Sequence, residues 1–137
     1  MAQPSTIYKP GKLNYVWNYI GTTLKEFKAK LLGYRSYVAV VSQVTGNAPT
    51  AVVLENSIGD IYFTYSGTGA YYINSDDNLF TENKTVSLCT TSLSPGNIYF
   101  LTIRWDSTNK IALDQFDVSG SGADDFINAT IEIRVYN

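Results

Sequence analysis

The sequence predicts an all-β protein, an antiparallel β-sandwich of about eight strands preceded by a short N-terminal helix and an extended arm. The chain has 137 residues, enough for one core, with 45% hydrophobic and 16% charged residues and 11 tyrosines, a composition typical of a folded β-rich protein. After Gly33 the apolar residues follow a period of two or form short apolar runs. These runs recur at intervals of roughly 8–13 residues and are joined by turn-rich segments, as in a sandwich.

The helix is predicted over about residues 23–32. In TTLKEFKAKLLG, Thr23 and Glu26 match a capping box, and Gly33 stands where a left-handed C-terminal cap belongs. Residues 1–11 contain two prolines and no periodic pattern, so they are predicted to form an extended arm.

Residues 12–20, KLNYVWNYI, fit two structures. Read in steps of two, they place Leu13, Tyr15, Trp17 and Tyr19 on one face of a strand, with strand-favouring residues throughout. Read as a helix, they extend an apolar seam with spacings of 4, 3, 4, 3 and 4, a heptad pattern. This seam consists of Leu13, Trp17, Ile20, Leu24, Phe27 and Leu31. The pattern alone does not decide between the two.

The remaining segments read as strands and turns. Residues 34–44 are apolar on both sides at their centre, which predicts a central strand covered on both faces. DSTN has the composition of a tight turn, and in the following KIALDQFDV the apolar phase slips near Asp114–Gln115, which predicts a β-bulge. The last strand, ATIEIRVYN, alternates apolar and charged residues, as a strand with one buried and one wet face does.

Charge is distributed unevenly along the chain. Through Arg35 there are six basic residues and one acid, a balance of +5, whereas the remainder holds four basic and eleven acidic residues, a balance of −7. The change of apolar period after Gly33 divides the chain into residues 1–33, an arm and amphipathic helix for attachment or oligomerisation, and residues 34–137, the β-sandwich domain. The basic part is expected to meet an acidic partner.

Residues 34–137 resemble a family of small β-domain proteins encoded by tailed phages of Bacteroidetes hosts, including crAss-like phages. The segment YRSYVAVVSQVTGNAPTAVVLENSIGD, the tyrosine-rich strands after it and the closing ADDFINATIEIRVYN carry the resemblance. It implies a phage-encoded β domain displayed on the virion, made in the host cytoplasm. It includes no catalytic motif, and it does not extend to residues 1–33.

The composition disfavours catalysis, and we expect a non-enzymatic protein without cofactors or bound metal. The chain contains no histidine and one cysteine, so triads and Cys/His metal sites lack their usual groups. Asp76–Asp77 and Asp124–Asp125 form oxygen-rich loops, but neither has an ordered calcium-binding spacing. Cys89 lies opposite Val86 and Leu88 in its strand and is predicted to be an inert packing residue.

Two kinds of functional residue are predicted. The seam residues, flanked by Lys25 and Lys28, are expected to dock onto other virion proteins or onto copies of the same chain, as a homotrimer by analogy with phage fibres. The expected function is thus a capsid decoration or fibre module attached through its N-terminal segment. The alternative is a lectin-like receptor-binding module that contacts host surface glycan through Tyr71, Tyr72 and Trp105. Neither a nucleic-acid partner, a membrane span nor a signal peptide is expected.

Overall fold

A computed structural model describes residues 10–90, 93–94 and 97–137 of the chain; for residues 10–17, 93–94 and 97 it describes the backbone alone. The chain divides into two compact units, Met1–Gly33 and Tyr34–Asn137. The first contains helix α1, Pro10–Leu32. The second contains the strands β1 Tyr34–Ser42, β2 Thr50–Asn56, β3 Tyr62–Gly67, β4 Ala70–Asn74, β5 Thr85–Cys89, β6 Leu93–Ser94, β7 Asn97–Ile98, β8 Phe100–Ser107, β9 Lys110–Phe116 and β10 Ala129–Tyr136.

The prediction that the helix begins near residue 23 is wrong, because α1 begins at Pro10 and spans 23 residues. Residues 12–20 are therefore helical. Proline is favoured in the first helical turn, where its missing N–H has no partner to lose. Thr23 is no cap: it lies inside α1, and its hydroxyl donates to the Tyr19 carbonyl at 2.9 Å. Most of the predicted arm, residues 1–9, lies outside the described residues.

The helix ends as predicted at Gly33. Its φ of +74° is the left-handed conformation that glycine adopts without strain, and its N–H donates to the Ala29 carbonyl at 2.9 Å. Lys30 lies in the last turn, where a cation interacts favourably with the helix dipole. The residues at the C-terminus of α1 were thus sufficient to predict where the helix ends.

Eight strands form two antiparallel sheets, which confirms the predicted sandwich. Sheet A has the order β2-β1-β10-β5, and sheet B has the order β3-β4-β9-β8. β6 and β7 pair separately as a short hairpin. β1 is central, as predicted, but only one of its faces is fully covered: Tyr37, Ala39 and Val41 are buried, while Val38 and Val40 are half-buried.

The core lies between the two sheets. In β10 the residues Ile131, Ile133 and Val135 face inward, and Glu132 and Arg134 form an ion pair at 2.6 Å on the outer face. The alternation in ATIEIRVYN therefore correctly predicted which residues of β10 face the core and which face outward. The buried side chains facing them from sheet B and the loops include Tyr71, Ile73, Phe80, Leu101, Ile111, Leu113 and Phe126.

The bulge predicted at Asp114–Gln115 is wrong. β9 pairs with β8 through Asp114, Gln115 and Phe116 without a register shift, and its pairing with β4 shows none up to Asp114. The shift between β8 and β9 lies instead between Trp105 and Ser107. Gln115 itself occupies the next inward position after Leu113 and is fully buried. The apparent slip arose because a polar residue fills a core position, and Phe116 falls on the half-exposed outer face.

Candidate functional site

A row of exposed apolar side chains lies on α1. Its seam keeps large side chains in solvent: Ile20 is 40% exposed, Leu24 62%, Phe27 65% and Leu31 75%. Because residues three and four apart share a helix face, these four side chains form one stripe. Leu13 and Trp17 belong to the same helix, but their side chains lie outside the described residues.

The surroundings of the seam are basic. Lys25 and Lys28 are exposed on α1, as is Lys30 in its last turn, whereas Glu26 is the sole acid in the helix sequence. Thr22 lies on the side of the helix opposite the seam and is also exposed. The helix therefore combines an apolar stripe with cationic margins, an arrangement suited to an apolar partner surface with acidic surroundings.

A hydrogen-bonded cluster at one end of the sandwich centres on Asp124. Its Oδ1 accepts from the Tyr71 hydroxyl at 2.6 Å and from the Gly69 N–H at 2.8 Å, while Oδ2 accepts from the Tyr65 hydroxyl and the Gly46 N–H, both at 3.3 Å. One carboxylate thus joins β3, the β3–β4 turn, β4 and the loop after β1.

The electrostatics of this cluster favour a charged Asp124. Partial burial acts to raise the pKa of Asp124, but the hydrogen bonds from Gly69, Tyr71, Gly46 and Tyr65 outweigh it, and the net pKa is lowered. Burial raises the pKa of Tyr71 strongly, and its hydrogen bond to Asp124 raises it further. The pair is therefore a neutral phenol donating to a carboxylate, which is a structural role.

In both aspartate-rich loops, carboxylates accept hydrogen bonds from groups of the protein. Asp125 accepts from the Thr45 N–H at 2.7 Å and from the Thr45 hydroxyl at 2.6 Å, and Asp76 accepts from the Tyr62 hydroxyl at 2.9 Å. Among the described residues no group of three or more acidic, cysteine or histidine side chains is placed to hold a metal ion. The carboxylates of Asp76, Asp124 and Asp125 therefore hold loop segments in place by hydrogen bonds.

The three predicted ligand residues do not share a surface. Tyr71 is 1% exposed and packs edge-on against Phe126 with ring centroids 5.7 Å apart. Trp105 is half-buried against the core, and its indole N–H donates to the Phe80 carbonyl at 3.4 Å. Tyr72 points to the opposite face of sheet B, where Lys110 lies 5.0 Å above its ring centroid.

Other nucleophiles and concavities offer little chemistry. Cys89 is half-buried, its thiol donates to the Leu101 carbonyl at 3.4 Å, and burial raises its pKa, as expected of an inert packing residue. An open depression of about 540 Å³ is lined by Ser42, Val44, Asn47, Ala48 and Thr50, which include no charged group. A smaller one, of about 230 Å³ beside Leu88, contains Glu132 but no second carboxylate.

One exposed feature was not predicted from the sequence. Strand β2 lies at the edge of sheet A, and its residues from Thr50 through Leu54 are all exposed, including Val52 at 67% and Val53 at 50%. The available signal was the uncharged run TAVVL, which does not alternate apolar and polar residues as a half-buried strand does.

Comparison with protein families, curated proteins and solved structures found no match to this chain. Within the described part of the chain, no helix has both the length and the apolar character required to cross a membrane.

Proposed function

We propose that the protein is a non-enzymatic structural component of a phage virion, a decoration or fibre module that assembles through α1 and displays its sandwich. The observation that carries this proposal is the exposed seam of α1, with Leu24, Phe27 and Leu31 each more than 60% exposed. Fully burying one such side chain stabilises a complex by about 1.5–3 kcal/mol. A helix with several of them in solvent is therefore expected to have a protein neighbour.

The seam pattern favours self-association. Successive seam residues alternate between spacings of three and four, so Leu24 and Leu31 occupy a positions and Ile20 and Phe27 occupy d positions of a heptad. Leucine at a combined with isoleucine at d favours three- or four-stranded coiled coils over dimers. We propose a parallel homotrimer, because three-fold symmetry is also the arrangement that phage fibres use.

A parallel bundle also explains how the sandwich is displayed. Strand β1 begins at Tyr34, directly after the Gly33 cap, so every copy starts its sandwich at the same end of the bundle. The margins of α1 are basic, whereas residues 36–137 have an acidic balance. The segment proposed for attachment and the domain proposed for display thus differ in charge. In this proposal α1 binds copies or other virion proteins, and the sandwich faces outward.

The first test is the mass of the full-length chain in solution. Multi-angle light scattering is expected to give about three times the chain mass of 15.2 kDa. Leu24→Asp, which places a charge in the seam, should reduce the three-helix assembly. Thr22→Asp is the matched control, because it adds the same charge to the same helix on the side away from the seam.

A mass that is unaffected by Leu24→Asp, or that falls equally with Thr22→Asp, would refute assembly through the seam.

The virion assignment has its own test: mass spectrometry of purified phage particles should detect the full-length chain. A chain lacking residues 1–33 should be lost from particles, and its retention would contradict attachment through α1. Binding of the full-length chain to lipid vesicles, abolished by Leu24→Asp, would instead identify a membrane surface as the partner.

The second candidate is a glycan-binding module on the outer face of sheet B. Tyr72 lies there with Arg104 and Asp114, which form an ion pair at 3.4 Å, so an aromatic ring and hydrogen-bonding groups share one face. Binding on a glycan array that is lost with Tyr72→Ala, but kept with Tyr136→Ala, which removes an exposed tyrosine from sheet A, would favour it. Particle incorporation with no glycan binding would favour the structural function.

A further inference from the structure

Among the strands that the structure describes, β2 has a hydrogen-bonded neighbour on one side only. Sheet A has the order β2-β1-β10-β5, so β2 hydrogen-bonds to β1 along one side, and no strand in the described part of the chain pairs with its other side. Its side chains are exposed on both faces of the sheet, with Val52 at 67%, Val53 at 50% and Leu54 at 63%. Both the edge and the two faces of this strand are thus open to a partner.

The other edge strands differ from β2. Strands β3, β5 and β8 each alternate exposed with more buried residues, and the exposed positions of β8 include Arg104 and Asp106. Charged residues and bulges on an edge strand discourage pairing with another chain. β2 carries no charge from Thr50 through Leu54, and its register shift with β1 comes only at Leu54, between the pairs Ala39–Val53 and Val38–Glu55.

We infer that β2 is a second self-association surface, at which β2 pairs antiparallel with β2 of another copy about a two-fold axis at Val52. An extended strand is the partner that satisfies a row of free backbone N–H and C=O groups. A two-fold axis perpendicular to the sheet pairs residues that point to the same face. Val52 then lies opposite Val52 of the second copy, and Ala51 lies opposite its Val53.

Charge argues for a second copy as the occupant. In this register Thr50 lies opposite Leu54 of the second copy, and Glu55, the first charged residue of β2, lies opposite its Pro49. No like charges face each other, and the bulge stays outside the central pairs. The pairing joins two four-stranded sheets into one continuous sheet, and it is independent of the α1 seam.

The experiment combines one substitution at each surface in the full-length chain. Val52→Lys places a charge on the two-fold axis, and Leu24→Asp disables the α1 seam. By light scattering over a concentration series, the wild-type chain should have the trimer mass at low concentration and should associate further through β2 as the concentration rises. The Leu24→Asp chain should reach the mass of a dimer, and adding Val52→Lys should halve that mass. Thr102→Lys adds the same charge to the exposed face of edge strand β8 and should leave that dimer intact.

A covalent trap tests the register directly. In a Cys89→Ser background with Leu24→Asp, Val52→Cys should form an intermolecular disulfide on mild oxidation, because opposed residues of an antiparallel pair have Cα atoms about 4.5–5.5 Å apart. Thr102→Cys in the same background should form it more slowly. Circular dichroism of each variant establishes that the sandwich is folded.

The outcomes separate this inference from the proposed function. A Leu24→Asp chain that is already monomeric at the highest concentration and forms no faster disulfide at residue 52 than at residue 102 would overturn the β2 pairing. A wild-type dimer that becomes monomeric with Val52→Lys alone would support the β2 pairing and refute assembly through α1. A dimer that is unaffected by Val52→Lys would overturn the β2 pairing as well.

Discussion

The sandwich core and the α1 seam contain similar apolar residues in opposite environments. Ile111 and Ile131 are completely buried between the sheets, whereas Leu24 and Phe27 are 62% and 65% exposed. Apolar periodicity marks both sets equally well in the sequence. Periodicity thus identifies the face that requires burial, and the fold then determines whether the same chain buries it.

This difference separates stability from recognition. Residues of the core contribute to folding because their neighbours belong to the same sandwich, so substitutions there should lower the free energy of unfolding. If the seam docks onto another molecule, as proposed, its residues contribute to that assembly, so substitutions there should change assembly and leave the isolated sandwich intact. Substitutions of decreasing expected effect can test this separation.

The largest effect is expected at Gly69, in the β3–β4 turn. Its φ is +70°, and an added Cβ would overlap backbone atoms of Gln115, Ala123 and Gly122. Gly69→Ala should lower the free energy of unfolding by about 4–5 kcal/mol, the upper range for single substitutions, because backbone must move. Gly46→Ala is the control, since its φ of +73° is similar but its Cβ would meet nothing within 4 Å.

Gly46→Ala should cost only the conformational strain of about 1–2 kcal/mol. Urea unfolding followed by circular dichroism measures both variants. Equal losses at the two glycines would show that the close approach of the β3–β4 turn to β9 does not constrain residue 69.

The next effect is expected in the core. Ile131→Ala removes a side chain that is completely buried in β10 and should cost about 2–5 kcal/mol, the lost burial plus the cavity left behind. Leu88→Ala changes a half-exposed residue on the outer face of the same sheet and should cost less than about 1 kcal/mol. Similar losses at both positions, measured by urea unfolding, would contradict the assignment of inner and outer faces.

A smaller and pH-dependent effect is expected at Asp124. Asp124→Asn keeps an acceptor for Tyr71 and Gly69 but removes the charge and the acceptor for Tyr65 and Gly46, and should cost about 1.5–3 kcal/mol near neutral pH. The pKa of Asp124 is lowered in the folded state, so the unfolded state binds more protons near that pKa.

The contribution of the Asp124 charge to the free energy of unfolding is therefore fully present above the pKa of aspartate in the unfolded chain, about 3.9. It is lost as the pH falls through the lower pKa of Asp124 in the folded state. The free energies of wild type and Asp124→Asn should approach each other below about pH 4. A difference that stays constant from pH 7 to pH 3 would show that the charge of Asp124 does not contribute.

Local signals in the sequence predicted much of the fold. The alternation of ATIEIRVYN and the cap at Gly33 each depend on adjacent residues, and both predictions are confirmed. The helix start was missed because KLNYVWNYI fits a period of two as well as a helical period. The false bulge arose because the buried position after Leu113 is filled by Gln115, a polar residue that pattern reasoning places outside.

The candidate sites depend on contacts that the sequence does not show. Asp124 accepts a hydrogen bond from Tyr71, which lies 53 residues earlier in the sequence. Neither the burial of that tyrosine nor the role of the carboxylate could therefore be inferred from GADD. The exposure of β2 depends on the strand order of sheet A, which places TAVVL at an edge. The seam alone was visible beforehand, because a heptad pattern is local.

The smallest effect on the sandwich is expected from Leu24→Asp. Leu24 is 62% exposed, so at a concentration where the chain is monomeric the variant and the wild type should unfold within about 0.5 kcal/mol of each other. If α1 assembles copies, mass action raises the wild-type unfolding midpoint with protein concentration, and the variant loses the part that the seam contributes. Near-UV circular dichroism during thermal unfolding measures both. A variant that is destabilised by more than about 1 kcal/mol at the lowest concentration, while Thr22→Asp is not, would show that Leu24 belongs to the folding core and not to an assembly surface.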